Sequence, residues 1–494
     1  MNLKAKLRQR IDIPAFVVAG LAFALYCAYS LYQWKHFVVP SWDLGIFTEL
    51  AQNYANATAP IVDIKGANYN LLGDHFHPLL VLLGLIYRLF PSGLTLLVVQ
   101  NFLFALSSVP LTRHARTRLG SRLGVLVGVA YVLSFGLLEA IKSQFHEVAF
   151  AVPLLAYGLV SWADGRKRVA FIELGLLVFV KEDLGLTLVA FGLIELWIEW
   201  GKHGCGYPAR TPAALVDTFK AKSAVLPVAF IVWGAVWFAL AIAVILPFFS
   251  PSGAWEYTGN LGNSSASSGF LEAVFGFFMP GEKMMTLFLL ACLAGLVGLR
   301  SPYMWLMVPT LAWRFAGNVS YYWGWQWHYS AVLMPIAIFV LVDGVRRLEN
   351  WERMRDSWGD SWRGKLRGFA VAVSLVTSLI MAWSGPFGQY LRGEMWAASD
   401  EEITAAHGAI EAVGTSHVVV TDLTLLAYLV PGNRVFWEGT VGGGDGHVDT
   451  VVATPHSQVM HGEVELQAWA AENFGGTWEV VYDVDGYTVA QRTA

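Results

Sequence analysis

Apolar residues run through this chain in blocks close to the roughly 20 residues that a helix needs to cross a bilayer. The blocks fall near 13–33, 93–112, 123–141, 148–163, 168–181, 184–200, 224–247, 284–300, 302–317, 330–345 and 368–386, and they predict about eleven membrane-spanning helices. The interruptions carry as much information. Segment 34–77 is a long polar loop with a helical pattern over 43–56, turn residues at Pro60, Gly66 and Asn68, and then Gly73-Asp74-His75-Phe76-His77-Pro78. Loops of that length are more often functional than idle. The apolar run 78–90 is too short to span and reads as an interfacial helix, with a re-entrant segment as the alternative, closing a first external loop over 34–92. A second long loop, 248–282, is rich in Ser, Gly and Asn, with a short amphipathic patch at 270–278. Past residue 390 the period changes. Ser399-Asp400-Glu401-Glu402 looks like a helix start, Val418-Val419-Val420 and Val451-Val452 like buried strands, 463–475 like a helix, and 478–482 and 487–490 like two more strands. The predicted architecture is a polytopic α-helical membrane domain, 1–390, followed by a small α/β domain, 391–494.

Composition agrees with the bilayer as solvent, since 55% of the 494 residues are hydrophobic and 14% charged. Aromatics reach 14%, with 21 Trp, and many lie where apolar runs end, as expected of rings at headgroup level. A net charge of -4 supplies no basic face for nucleic acid, so the placement of charge matters more than its sum. With Lys4, Lys6, Arg8 and Arg10 inside, the cytoplasmic segments and span ends hold 23 of the 33 Lys and Arg. The positive-inside rule then sets the N-terminus in the cytoplasm of a cell with this plasma membrane, and the tail outside. The first apolar run lacks a small-residue cleavage site and reads as a retained helix. Loop 346–367, basic, acidic and Trp-containing, reads as a surface-bound amphipathic helix. The three Cys predict neither a disulfide nor a Cys-based metal site. Gly442-Gly443-Gly444 lacks the strand and helix context of a nucleotide loop.

Ionisable groups beside spans cost about 2.5–3.5 kcal/mol each on insertion scales, so clustering on one side asks for a reason. The topology brings Asp43, Asp74, His75, His77, Glu139, His146, Glu147, Lys181, Glu182, Asp183, Arg314, His328 and Tyr329 to the external face. Carboxylates can act as general bases or hold a divalent cation, and Lys and Arg can neutralise a phosphate leaving group. Each also has a plainer reading. Asp43 fits a helix cap, Asp74, His75 and His77 fit local hydrogen bonds as well as metal ligation, Lys181-Glu182-Asp183 fits a self-neutralising turn, His146-Glu147 fits a polar turn, and Arg314 fits snorkelling.

The order of these features resembles the GT-C superfamily of lipid-linked sugar transferases, which carry an acidic residue soon after the first span, where Asp43 stands. His77-Pro78-Leu79-Leu80 through Tyr87-Arg88-Leu89-Phe90 resembles the His-Pro-Pro-Leu and interfacial-helix segment of the protein O-mannosyltransferase and aminoarabinose-transferase branch, and Val180-Lys181 resembles its Thr-Lys. Closer still, Trp42-Asp43-Leu44-Gly45-Ile46-Phe47, Gly73-Asp74-His75-Phe76, Phe145-His146, Lys181-Glu182-Asp183-Leu184-Gly185 and His328-Tyr329 resemble a bacterial family of predicted membrane proteins of unknown function. The likeness covers roughly 1–390. GT-C enzymes usually have a second acidic residue beside the first, whereas here Trp42 and Leu44 flank Asp43, and Glu49 is two turns on. The resemblance implies transfer of a sugar from a polyprenyl-phosphate donor to an envelope glycan, lipid or protein. Asp43 would be the base. Lys181 and Arg314 would hold the lipid phosphate with His146 and His328, and Glu147, Glu182, Asp183 and Tyr329 would line the same substrate site. A polyprenyl-linked sugar transporter and a membrane scaffold with an external binding domain are the competing readings, against which stand the external rather than midplane charges and the lack of an inverted repeat.

Overall fold

The computed structural model describes residues 12–38, 42–203, 211–257, 280–350, 359–442, 447–457 and 466–493. The basic N-terminal residues 4–10, the patch at 270–278, most of loop 346–367 before residue 359, and Gly443-Gly444 lie outside the described residues. The opening helix, Ile13–Lys35, starts where the Asp12 carboxylate accepts from the Ala15 amide and ends with Lys35 in its last turn. Ser92 caps Gly93–Leu119 in the same way through the Leu94 amide.

Six helical stretches are long and apolar enough to cross a membrane: Ile13–Lys35, Gly93–Leu119, Ser121–Lys142, Leu184–Lys202, Lys222–Phe249 and Ser361–Ser384. The other five expected crossings are shorter or broken, for reasons visible in the backbone. The block 168–181 is α-helical only to Gly175 and then tightens into a 3-10 turn, Leu176–Phe179. The block 302–317 begins as a 3-10 run, Pro302–Met307, and becomes α-helical at Val308–Ala316. Helix Gly281–Leu293 stops before Gly295 and Leu296, both of which take positive φ. Even within Ser121–Lys142, Ser134 leaves the helical region and separates Ser121–Val132 from Phe135–Lys142. Irregular backbone is tolerated at such depth where it is packed in protein.

Helix Leu333–Glu349 runs through the centre, with Leu333 to Val342 all buried, whereas Lys222–Phe249 is only 17% buried over its most apolar window and turns its face outward. That outward face is where lipid would lie. The first loop forms helix Trp42–Ala55, the 3-10 turn Pro78–Leu80 and the short helix Val81–Tyr87 expected for an interfacial segment.

The tail folds as expected, with one addition. Ser399 and Glu402 form a reciprocal capping box at the start of Asp400–Val413. A five-stranded sheet follows: β1 (Val418–Thr421), β2 (Arg434–Trp437), β3 (Thr450–Ala453), β4 (Trp478–Val484) and β5 (Tyr487–Arg492), in the order β2-β1-β3-β5-β4. β1 is parallel to β2 and β3, and β5 is antiparallel to β3 and β4. β2 was not anticipated from the sequence.

The sheet docks on the first loop. Arg434 Nε lies 2.6 Å from Asp63 Oδ2, Thr440 Oγ1 donates to the Ile64 carbonyl at 2.7 Å, and the Gln52 amide donates to the Asn433 carbonyl at 3.2 Å. Glu49 sits beneath this contact, accepting from the Asp63 and Ile64 amides at 3.1 Å each. Burial and the nearby Asp63 push its carboxyl up to about 8, so Glu49 organises the loop rather than standing as a second exposed acid beside Asp43.

Candidate active site

The side chains that matter sit on short non-α segments where helices end. His146 precedes the 3-10 turn Glu147–Ala149, Lys181 to Asp183 form the turn before Leu184–His203, and His328 opens the 3-10 turn His328–Ser330. Gln100, on helix Gly93–Leu119, fixes the first of these by donating to the Gln144 carbonyl at 3.0 Å and accepting from the His146 amide at 3.2 Å.

These turns converge with the first loop on a cavity of about 520 Å³. Of the residues singled out in the sequence, Asp43, Asp74, His75, His146, Glu147, Lys181, Glu182, Asp183, His328 and Tyr329 all line it. Asp43 is the second residue of its helix, so it supplies first-turn charge rather than the cap itself. Its side chain is 49% exposed, and Oδ2 stands 3.3 Å from His146 Nε2. The His146 ring stacks on His328 with centroids 3.5 Å apart. His328 Nδ1 is buried and finds no partner among the described residues.

Lys181 Nζ donates to Glu147 Oε1 at 2.7 Å, and both groups are almost wholly buried. Glu182 takes His75 Nδ1 at 2.9 Å and the Phe76 amide at 3.0 Å. Burial works against the Glu182 carboxylate, but His75 and Lys181 hold its pKa below the ordinary value. His75 is shifted the other way: burial and Lys181 disfavour its charge, and Glu182 and Asp74 outweigh them. Asp183 accepts from Trp313 Nε1 at 3.0 Å, and burial pushes its carboxyl up to about 6.

Part of the lining is apolar. Leu186, Phe238, Ile242, Ala312 and Ala316 form that part, and Phe238 and Ile242 come from the outward-facing stretch Lys222–Phe249. Ile242 lies in a π-helical turn, Ala241–Ile245, a local widening often found at functional sites.

Two expectations are corrected. Arg314 does not face the cavity. It is 0% exposed, and its guanidinium donates to the Tyr322 carbonyl at 2.8 Å, the Gly324 carbonyl at 2.6 Å and Ser330 Oγ at 3.2 Å. It therefore braces the segment that carries His328 and Tyr329. Arg314→Met should leave three acceptors short of a donor and lower unfolding stability by on the order of 3 kcal/mol, read by thermal melting in detergent; an unchanged melting point would exclude the brace.

The proposed metal trio also disperses. Asp74 Oδ1 is 2.7 Å from Lys65 Nζ and accepts from the Tyr257 hydroxyl at 2.9 Å, His75 is taken by Glu182, and His77 is buried with Nδ1 unpartnered among the described residues. Burial lowers the His77 pKa to about 4. Among the described residues no three His, Cys, Asp or Glu converge as a metal site.

The sequence reading missed Lys65, Tyr257 and Trp313, and treated Trp42 only as a neighbour of Asp43. All four line the cavity. Lys65 was the one with a visible signal, being with Lys35 one of two lysines in a loop, 34–77, otherwise rich in acids and amides.

Among solved structures, the chain is similar to ArnT from Cupriavidus metallidurans bound to undecaprenyl phosphate, with a TM-score of 0.53 and 13% identity, covering 97% of this chain and 98% of that one. The apo form of the same protein gives 0.54 at 13% identity over the same shares. At this identity the likeness shows the fold alone. No curated protein matches the sequence. A family model for predicted membrane proteins matches residues 34–487, nearly the whole chain, and the protein therefore belongs to the DUF2079 family of predicted membrane proteins.

Proposed function

We propose that this protein is a membrane glycosyltransferase that moves a sugar from a polyprenyl-phosphate donor to a glycan, lipid or protein of the cell envelope. The observation that carries the reading is a single cavity in which a half-exposed carboxylate, a buried ammonium and an apolar, lipid-side wall meet. An amphiphile with a charged head and a prenyl tail needs all three. A solved protein of similar fold is bound to undecaprenyl phosphate, which supports the same class of donor here.

In the reaction, Asp43 takes the proton of the acceptor hydroxyl as its oxygen attacks the anomeric carbon. The bond from that carbon to the phosphate oxygen breaks, and the phosphate leaves with the electron pair, so a single displacement inverts the anomeric centre. Lys181 faces the departing charge, with Glu147 holding it in position. His146 stands beside Asp43 and is backed by the stacked ring of His328. Glu182 and Asp183 shape the wall beside Lys181, and Tyr329 contributes a hydroxyl.

The same reading sets the site on the extracytoplasmic face of the plasma membrane, with the N-terminus inside, the five shorter or broken segments completing about eleven crossings, and the domain 391–494 outside, where it helps bind the acceptor. The test is turnover of a labelled polyprenyl-phosphate sugar by full-length protein in proteoliposomes. Protein-dependent release of free polyprenyl phosphate with label on an acceptor is expected. Movement of intact donor between leaflets without cleavage would instead identify a transporter.

A further inference from the structure

At the end of the bundle away from Asp43, two adjoining cavities of about 520 and 470 Å³ share Arg300 and Arg347. The separation follows from the chain. Helix Leu333–Glu349 begins just after His328 and Tyr329 and reaches Arg346 and Arg347 in its last turn. At about 1.5 Å per residue its 17 residues carry the chain roughly 25 Å from the first site. Helix Leu184–His203 likewise leaves Lys181 to Asp183 and ends at the Lys202 that lines the second cavity.

Among the described residues four cations line this crevice, Arg300, Arg346, Arg347 and Lys202, against one lining carboxylate, Asp343. Asp343 is already engaged, accepting from Ser301 Oγ at 2.6 Å and Arg347 Nε at 2.5 Å. Lys202 pairs with Glu199 at 2.9 Å, and among the described residues the balance stays positive with Glu199 included. Among the described residues no carboxylate stands within ion-pair distance of Arg346. The floor is tight, since a Cβ on Gly344 would lie 2.3 Å from the Val297 carbonyl oxygen, so helix Leu333–Glu349 is locked against the turn that presents Arg300. The rim is apolar and open: Trp197, Trp305 and Leu299 are 50%, 68% and 57% exposed.

Basic groups beside exposed Trp and Leu are what a phospholipid meets at the level of its headgroup and upper acyl chains. We propose that this crevice binds the phosphodiester headgroup of an anionic phospholipid, with Trp197, Trp305 and Leu299 against its acyl chains. The exposed apolar rim favours a lipid over a soluble phosphate, which has no use for it. Assignment to the cytoplasmic leaflet rests on the orientation proposed above, whereas the headgroup contact does not.

The experiment is native mass spectrometry of the full-length protein released from mixed micelles containing phosphatidylglycerol and phosphatidylcholine. The wild type should retain phosphatidylglycerol in preference, and Arg300→Gln with Arg346→Gln should lower that retention about tenfold. Arg300→Lys with Arg346→Lys keeps the charge and should keep the lipid, which separates loss of binding from loss of folding. Equal retention by the wild type and the glutamine variant would overturn the site. Stabilisation by inorganic phosphate alone, without preference for phosphatidylglycerol, would overturn the lipid and assign a soluble anion. None of these readouts involves sugar transfer, so the crevice and the glycosyltransferase reading stand or fall separately.

Discussion

Asp43→Asn is expected to fold and insert normally and to lose about 10²- to 10⁴-fold in sugar transfer, the usual contribution of a positioned general base. The substitution keeps the shape and the contact with His146 Nε2 at 3.3 Å but removes the site that accepts the proton. Because the side chain is half-exposed at the start of its helix, little of the packing depends on it, and the melting temperature should hardly move. The loss should fall on turnover rather than on donor affinity, since the carboxylate acts on the acceptor hydroxyl. Turnover by the variant at the wild-type rate in proteoliposomes would remove Asp43 from the chemistry.

Lys181 should show a different pattern, because its charge serves the structure and the reaction together. Lys181→Met leaves Glu147 buried without its 2.7 Å partner, a loss of about 3–5 kcal/mol for a broken buried pair. It also removes the cation nearest the leaving phosphate, for which about 10²- to 10³-fold in turnover is the expected scale. The two effects separate in the double variant Lys181→Met with Glu147→Gln. There the buried charge is gone and stability should largely return, while transfer stays low and donor binding weak. Recovery of transfer along with stability would mean that Lys181 only holds the fold together.

The convergence of Asp43, His146, Lys181 and His328 was legible because all four stand where apolar runs end on one side, and a bundle has few places to put such ends. What those residues do to one another was not legible. Nothing in the sequence pairs Lys181 with Glu147, 34 positions earlier, or His75 with Glu182, 107 positions later. Arg314 misled for a physical reason: a base near the end of a span has the same sequence signature whether it faces a ligand or the carbonyls of an irregular segment, and here the carbonyls lie eight and ten residues on. The hydropathy count likewise registers apolar length but not whether the backbone stays α-helical, so Pro302 and Gly295 passed unseen. β2 escaped because four residues, Arg434–Trp437, are too few to show an alternation.

The way the sheet grips the first loop bears on how this protein can be divided. Gly45 sits two residues from Asp43, and a Cβ there would come 2.9 Å from Leu426 Cβ in the tail, while Trp42 packs against Trp437 with ring centroids 5.2 Å apart. The helix bearing Asp43 is thus clasped between the apolar bundle and the sheet, and it owes its seat to both. The tail is consequently no detachable accessory. Exchanging it between relatives would re-aim the carboxylate unless the first loop travelled with it, so the unit of inheritance in this architecture is the pair, loop and sheet together, separated in sequence by more than three hundred residues of membrane helix.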